Sequence, residues 1–322
     1  MISYAQNFED VMLRRVFRDR KQGFYIDVGA MDPVVESVTK FFYDEGWSGI
    51  NIEPNEWFYS KLLQDRPRDI NLNLAVGERE EKKELYLFER IGNSTFEQAS
   101  RDRYVDRGYE AIPVPVNVTT LASICRDYVR SRIDFLKIDC EGWENFVLRG
   151  ADWDRFRPTV VIVEATAPGT ETPSWQEWEP YLIEIGRYEL VYFDGLNRFY
   201  VPRESAHLRS HFELPPNFHD GFKVHATELA EQHITGLQWH RDTLLAQVAE
   251  LEEKLRGSVA ANTQLSESLH AKIAVLEQDA LHGQNRVVEL EKQRQELEQT
   301  LLKARLWIGR LSQELAAIRQ RQ

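Results

Sequence analysis

One pattern recurs through the first part of the chain: a short apolar run ends in an acid or a small residue and is followed by a helical pattern. The clearest run is Phe24–Val28, which contains Asp27 and is followed by Gly29. Further runs of this kind span residues 49–53, 70–76, 133–139 and 159–164. Strands that alternate with helices are typical of a mostly parallel sheet with crossover helices. Because the carboxyl ends of parallel strands meet at one edge, we expect these acids along one rim of the sheet.

The segments between these runs predict the remaining elements. Helices are predicted at 7–18, at 34–45 with an end at Gly46, at 54–63, and from an N-cap at Thr119 to residue 128. Residues 85–88 and 114–118 are predicted strands, and 190–193 and 198–201 a closing antiparallel hairpin. Residues 90–110 are polar and irregular, which favours a lid or substrate loop over packed structure.

Composition narrows the class of protein. The chain has 322 residues and a formal net charge of −12, which argues against a nucleic-acid partner. Its two cysteines, Cys125 and Cys140, are too few for a disulfide framework or a structural zinc site. No stretch has the length of a transmembrane span, and the start has no signal-peptide pattern. We expect a cytoplasmic protein, and docking on a membrane-bound glycan-assembly complex stays open.

Two residues at the predicted rim favour the binding of a ligand there. Gly29 permits a close approach of the backbone, although Asp-x-Gly is also common in ordinary turns. Glu53 follows Asp27 at about the spacing of the acid that holds the ribose hydroxyls in dinucleotide-binding units. The alternative role for Glu53 is that of an acid stabilised by a helix N-terminus.

Several ordered motifs carry a family resemblance. They are YAQNFED at 4–10, YIDVGA at 25–30, GINIEPN at 49–55, NLAVG at 73–77, DFLKIDCEGWE at 134–144, VEAT at 163–166 and DGLNRFY at 194–200. From Ser3 to Asp220 the chain resembles the FkbM family of S-adenosylmethionine-dependent methyltransferases. Met31 and Cys140 depart from the pattern, since a polar residue and valine are usual there.

The resemblance implies a fold and an activity. The fold is α/β, a Rossmann-like class I methyltransferase sheet with the closing hairpin, over residues 1–222. The activity is O-methylation of a sugar hydroxyl in a bacterial surface glycan or glycoconjugate. The implied cofactor-binding residues are Gln6, Asp27, Gly29, Glu53, Ala75, Val76 and Asp139.

Methyl transfer to a hydroxyl needs a group that removes the proton. Asp139 and Glu141 are the predicted general bases, because two nearby carboxylates can raise one another's pKa. Lys137 is grouped with them, with a buried ion pair as its alternative role. An alternative chemistry uses Asp139 and Glu164 as ligands of Mg²⁺, which prefers oxygen ligands.

The tail, residues 223–322, predicts a different structure. Apolar residues recur every three and four positions, with a shift in frame between Asn262 and Leu276. This pattern is typical of a long α-helical coiled coil, which we expect to form a dimer or trimer and to act as a spacer toward a glycan-assembly partner. As one helix it would extend roughly 140 Å.

Two other functions compete with the methyltransferase. A non-catalytic scaffold would use the fold only to present the coiled coil, but the acids Asp27, Glu53, Asp139 and Glu141 speak against it. A nicotinamide-dependent oxidoreductase would use a similar sheet. It is disfavoured because no Gly-x-Gly-x-x-Gly follows the first strand to approach a pyrophosphate.

Overall fold

The computed structural model describes residues 1–88, 94–258 and 263–319, without the side chains of 251–258, 263–269, 304, 308–309 and 311–319. The chain divides into two compact units. The first is Met1–Phe222 together with the end of the chain from Ile308, and the second is Lys223–Trp307. Within the described residues, no helix is both long enough and apolar enough to cross a membrane.

The first unit alternates strands and helices. The strands are β1 (Ile2–Ser3), β2 (Phe24–Val28), β3 (Ser48–Ile52), β4 (Ile70–Leu72), β5 (Ala75–Gly77), β6 (Glu81–Leu87), β7 (Ser94–Thr95), β8 (Ile112–Thr120), β9 (Phe135–Ile138), β10 (Val160–Glu164), β11 (Tyr188–Phe193) and β12 (Asn197–Pro202). The α-helices are α1 (Glu9–Val16), α2 (Lys40–Asp44), α3 (Glu56–Asp65), α4 (Gln98–Asp106), α5 (Leu121–Tyr128), α6 (Glu144–Arg149) and α7 (Glu179–Glu184). Short 3₁₀ helices span Trp175–Glu177, Arg203–Phe212 and Phe218–Asp220.

The larger sheet positions the rim predicted from the sequence. Its strand order is β11-β12-β10-β9-β2-β3-β4. Strands β4, β3, β2, β9 and β10 run parallel to one another, whereas β12 is antiparallel to both β10 and β11. The hairpin prediction is thereby confirmed. The strand order reverses between β2 and β9, which is where ligands bind in open α/β sheets.

The sheet is covered on both faces because its strands are apolar on both faces. Alternate residues of β2 supply the two cores: Tyr25 packs in one cluster with Phe135, and Ile26 in the other with Leu136. All four side chains are at most 1% exposed. Packing on both faces of the sheet therefore fixes the positions of the carboxyl ends of β2 and β9.

The strand predicted over residues 70–76 is wrong. The structure has two strands there, β4 in the larger sheet and β5 in a smaller sheet of order β5-β8-β6-β7. Asn73 separates them, and its side-chain amide donates to the carbonyl oxygens of Glu53 and Pro54, each at 3.2 Å. These hydrogen bonds turn the chain out of the larger sheet.

The helix predicted over residues 34–45 is less than half as long as expected, since only α2, of five residues, forms. Asp32 Oδ1 accepts hydrogen bonds from the backbone N–H groups of Val34 and Val35, each at 2.9 Å. Glu36 has a φ of 59°, in the left-handed region. A side-chain turn thus replaces the first helical turns.

Two further local predictions need correction. The N-cap of α5 is Thr120 and not Thr119, because the Thr120 hydroxyl accepts from the N–H of Ser123 at 3.1 Å. The segment predicted as irregular, 90–110, contains β7 and α4. Its first residues, 90–93, lie outside the described residues.

The second unit contains a short strand, β13 (Lys223–Val224), the helix α8 (His225–Ser258) and the first part of α9 (Thr263–Arg319). A Cβ on Gly283 would lie 4.0 Å from Arg241 Cβ, although these residues are far apart in the chain. Helix α9 therefore folds back along α8. The prediction of one extended rod is wrong.

Several of the apolar positions that recur every three and four residues, here called the heptad positions, are buried in the second unit. Buried positions on both helices include Leu244, Val248, Ile273, Ala280 and Val287. In an antiparallel hairpin, residues that face each other are equally far along the chain from the turn. Leu244 and Ala280 are equally far from position 262, and so are Arg241 and Gly283. The predicted frame shift falls between 262 and 276, where Asn262 and the side chains up to residue 269 lie outside the described residues.

Candidate functional site

A cavity of about 520 Å³ opens where the strand order reverses. Its volume lies in the range of small-molecule and cofactor sites. It is bounded by the carboxyl ends of the parallel strands and by segments outside the larger sheet. Of the residues predicted for the site, those in its wall are Gln6, Gly29, Glu53, Ala75, Val76, Lys137, Asp139, Glu141 and Glu164.

Gly29 brings the loop after β2 against the loop after β9. A Cβ at this position would lie 1.9 Å from the Asp139 carbonyl oxygen, and φ is +78°. Both the contact and the backbone angle require glycine. The close approach predicted for Gly29 is therefore made to the protein's own backbone, and it narrows the floor of the cavity.

Lys137 sits at the centre of this floor. Its ammonium donates to the Gly29 carbonyl at 3.1 Å and forms ion pairs with Asp139 Oδ2 at 3.3 Å and Asp27 Oδ1 at 3.5 Å. The two acids raise the pKa of Lys137 against the opposing effect of its burial, so it stays charged. The buried ion pair considered for Lys137 is present, and Lys137 also lines the cavity.

Asp27, predicted to contact the ligand, lies behind the cavity wall instead. It is 1% exposed, and its Oδ2 accepts from the Thr39 hydroxyl at 3.2 Å. Burial raises the pKa of Asp27, while Lys137 acts in the opposite direction. In this structure Asp27 positions Lys137, and Lys137 in turn faces Asp139.

Glu53 closes the cavity on the side of β3. Its Oε2 accepts from the N–H of Met31 at 2.9 Å and its Oε1 from the N–H of Asn55 at 2.7 Å. Burial raises the pKa of Glu53 to about 7, and the two backbone donors oppose this shift. Each oxygen keeps a lone pair for a further donor. Glu53 is thus fixed in place as a hydrogen-bond acceptor.

Carboxyl groups gather beyond Lys137. Glu164 follows Val163, which is paired with Ile138 in the sheet, so Glu164 and Asp139 are neighbours across β9 and β10. Burial and the charge of Asp139 raise the pKa of Glu164 well above its usual range and that of Glu141 to about 8. Such a cluster can take up and release a proton near neutral pH.

Glu141 is held in an unusual backbone conformation. Its φ is 52°, and Thr95 Oγ1 donates to its carbonyl oxygen at 2.9 Å. Glu144 Oε1 accepts from the N–H groups of Cys140 at 2.9 Å and Gly142 at 3.2 Å. Glu144 belongs to the motif at 134–144, but its role could not be predicted from the sequence. In the structure it shapes the loop that presents Glu141.

The magnesium prediction receives no support from the ligand set. Among the described residues, no group of three or more His, Cys, Asp and Glu side chains could hold a metal ion. Asp139 and Glu164 are only a pair, and Asp139 is engaged by Lys137.

The far side of the cavity was largely missed by the sequence analysis. We call it the second wall. It consists of Ser94, Phe96, Tyr104, Gly169, Thr170 and Glu171. The first three come from the segment predicted as a lid or substrate loop. The remaining residues follow β10 and form no motif that a single sequence could reveal.

The Trp143 side chain both packs against other aromatic rings and lines the cavity. Its ring stacks on Phe146 with centroids 3.9 Å apart, and it lies 4.9 Å from the ring of Phe96. It also lines the cavity. Trp143 therefore packs against neighbouring aromatic rings and also presents an aromatic surface to the cavity.

Glu9 also lines the cavity and belongs to the N-terminal motif. Asn197 Nδ2 donates to Glu9 Oε1 at 2.8 Å, and the N–H of Asn7 donates to Oε2 at 2.8 Å. Burial and the nearby Asp194 raise the pKa of Glu9 to about 8. This network ties the N-terminal motif to the hairpin motif.

A family model described as the methyltransferase FkbM domain matches residues 27–191. This range contains the end of β2, all of β3 to β10 and most of the cavity wall. No curated protein matches the chain significantly.

Proposed function

The chain belongs to the methyltransferase FkbM family, and from this premise we propose that it transfers the methyl group of S-adenosylmethionine to a sugar hydroxyl. The pathway we infer is the assembly of a bacterial surface glycan or glycoconjugate. The observation that carries the proposal is the meeting of Gly29, Glu53 and Asp139 around one cavity at the strand reversal.

The residues of the cavity fit the methyl donor. S-adenosylmethionine, the usual donor of methyltransferases, supplies a methyl group on a positively charged sulfur. Glu53 has lone pairs for the ribose hydroxyls, and Ala75 and Val76 offer an apolar surface for the adenine. The acids Asp139 and Glu141 suit the positive charges. Gln6 stands in the wall as a neutral polar group for the amino-acid end.

Proton removal is assigned to the carboxyl cluster. Asp139, Glu141 and Glu164 share one part of the wall, where burial and the charge of Asp139 raise the pKa of Glu141 to about 8 and that of Glu164 well above its usual range. We propose that one of Asp139 and Glu141 accepts the proton of the sugar hydroxyl. Lys137 holds Asp139 in place through their ion pair.

We also infer that the larger sheet is Rossmann-like. The parallel strands β2, β3, β4, β9 and β10, with the order reversing beside β2, support this assignment. The cytoplasm is the proposed location, because the donor is made and used there.

Self-association through the tail and a glycan-assembly partner also stay proposals. Exposed apolar side chains on α8 and α9 support them, since several of the described heptad positions are already buried within one chain. These exposed residues include Trp239, Leu245, Val275, Leu281 and Val288. Sedimentation of the full chain tests the first proposal, because a monomer at all concentrations contradicts it.

Incubation with methyl-labelled donor and a panel of free sugars and glycosides tests the activity, with mass spectrometry as the readout. We expect one methyl group per product and a loss of at least about 100-fold in Asp139→Asn, as for removal of a general base. Asp127→Asn, on an exposed residue paired with Arg126, is the matched control and keeps the wild-type rate. Donor binding without transfer to any sugar contradicts the acceptor class.

A further inference from the structure

The charges around the cavity bear on which acceptors can enter it. In the described part of the wall, Lys137 is the only lysine or arginine. Its ammonium has three donors, and these face Gly29 O, Asp139 and Asp27. Lys137 is therefore already paired and has no donor to spare for an anionic ligand.

Two arginines lie close to the second wall without entering it. Arg103 donates to Ser100 Oγ at 2.7 Å and to the Pro168 carbonyl at 3.5 Å. Arg107 lies beside Gly169, with Nη1 3.4 Å from where a Cβ would be. Neither belongs to the cavity wall.

A carboxyl oxygen in the wall lacks a donor. Glu164 is 9% exposed, and its Oε2 accepts no hydrogen bond. A buried acceptor without a partner costs free energy, which a ligand hydroxyl can recover. Glu171 stands at the second wall and is exposed. The wall therefore offers acceptors for hydroxyl groups on both of its sides.

An acceptor that carries a negative charge would be disfavoured in this cavity. Burial of a phosphate or carboxylate is costly unless a cation pairs with it. In this cavity the phosphate or carboxylate of the acceptor would instead lie among Asp139, Glu141 and Glu164. If these carboxyl groups are ionised they repel the anion, and if they are protonated they still provide no positive charge to replace its hydration.

We propose that the cavity accepts uncharged, hydroxyl-rich acceptors and rejects those with a phosphate or carboxylate beside the reacting hydroxyl. This inference rests on the proposed sugar O-methylation. It assigns specificity to the shortage of lysine and arginine side chains among the described residues of the wall.

The test compares neutral methyl glycosides of glucose, galactose and mannose with the 6-phosphate and the uronic acid of each. Labelled methyl transfer gives kcat/KM for each compound with the full chain. For every glycoside that is methylated at O2, O3 or O4, we expect the neutral form to exceed both anionic forms by about tenfold or more, and for one methylated at O6 we expect the same excess over its 4-phosphate.

A charge variant supplies the second arm. Glu171→Lys adds a cation to the second wall and should raise the ratio of anionic to neutral turnover by about tenfold. Glu177→Lys makes the same change on an exposed residue outside the wall and should leave the ratio unchanged.

The outcomes separate the two proposals. Equal or faster methylation of the anionic forms, or equal ratios in the two lysine variants, overturns the inference and leaves the methyltransferase in place. Transfer to no sugar, neutral or anionic, overturns the proposed function and the inference with it.

Discussion

The ammonium of Lys137 lies 3.5 Å from Asp27 Oδ1, and the two residues are paired in register on adjacent strands β2 and β9. Both are at least nine-tenths buried. Breaking a buried ion pair by removing one partner leaves the other charge uncompensated. The floor of the cavity therefore depends on this pair.

Lys137→Met should lower the free energy of unfolding by about 3 kcal/mol, because Asp27 must then be buried alone or take up a proton. Urea unfolding followed by circular dichroism measures the change. The double variant Asp27→Asn/Lys137→Met should recover part of the loss. Lys40→Met, which removes a surface pair with Asp44, should cost less than about 1 kcal/mol. Equal costs in the two lysine variants would contradict the account.

Gly29→Ala and Gly46→Ala form a matched pair, since both glycines have positive φ. A Cβ at Gly46 meets nothing within 4 Å, whereas one at Gly29 meets the Asp139 carbonyl oxygen. We expect a loss of about 1 kcal/mol at Gly46 from backbone strain, and at least about 2 kcal/mol more at Gly29. Thermal unfolding measures both. A Gly29→Ala protein as stable as Gly46→Ala would show that the two loops are not in contact.

The ligand-free protein should lose stability as the pH rises from about 5 to 8. Burial and Asp194 raise the pKa of Glu9 to about 8, from an ordinary value near 4.5. The folded state therefore holds a proton that the unfolded state has released, and this stabilisation is present below pH 4.5 and lost as the pH rises through 8.

Glu9→Gln removes this titration and should flatten the loss by on the order of 2 kcal/mol between pH 5 and 8. Chemical unfolding at a series of pH values measures it. The exposed Glu56→Gln should keep the wild-type slope. An unchanged slope in Glu9→Gln would show that Glu9 is ionised in the folded protein.

Adjacent leucines in α8 test the helical hairpin. Leu244 is 8% exposed and Leu245 is 48% exposed. Leu244→Ala should lower the stability of the helical tail by about 2 to 4 kcal/mol, and Leu245→Ala by less than about 0.5 kcal/mol. Circular dichroism at 222 nm during heating of the full chain follows the loss of helix. Equal effects would mean that the heptad positions are not the contact between the helices.

Much of the parallel sheet could be predicted because its strands follow simple local rules. Residues Phe24–Val28 form an apolar run of strand length, and Asn55 caps α3 where the sequence placed a helix start. The prediction failed where a side chain redirects the backbone. Asp32 and Asn73 do so through hydrogen bonds to groups that no local pattern marks.

In the candidate site too, residues placed by local patterns could be predicted, and residues placed by long-range contacts could not. Residues directly after strands, such as Glu53 and Asp139, could be placed at the rim because parallel strands end together. The burial of Asp27 could not be predicted, since it depends on the pairing of β2 with β9. Tyr104 and Glu171 reach the cavity from elements distant in sequence, and only the folded chain brings them there.

The central claim is that this cavity holds a methyl donor, and isothermal titration of the full chain with S-adenosylmethionine tests it most directly. We expect one S-adenosylmethionine site per chain, with a Kd in the micromolar range. Glu53→Ala should weaken it at least about tenfold through loss of hydrogen bonds to a carboxylate, and exposed Glu56→Ala should not. No binding heat with the wild-type protein at several temperatures would contradict the claim and favour a scaffold that only presents the helical tail.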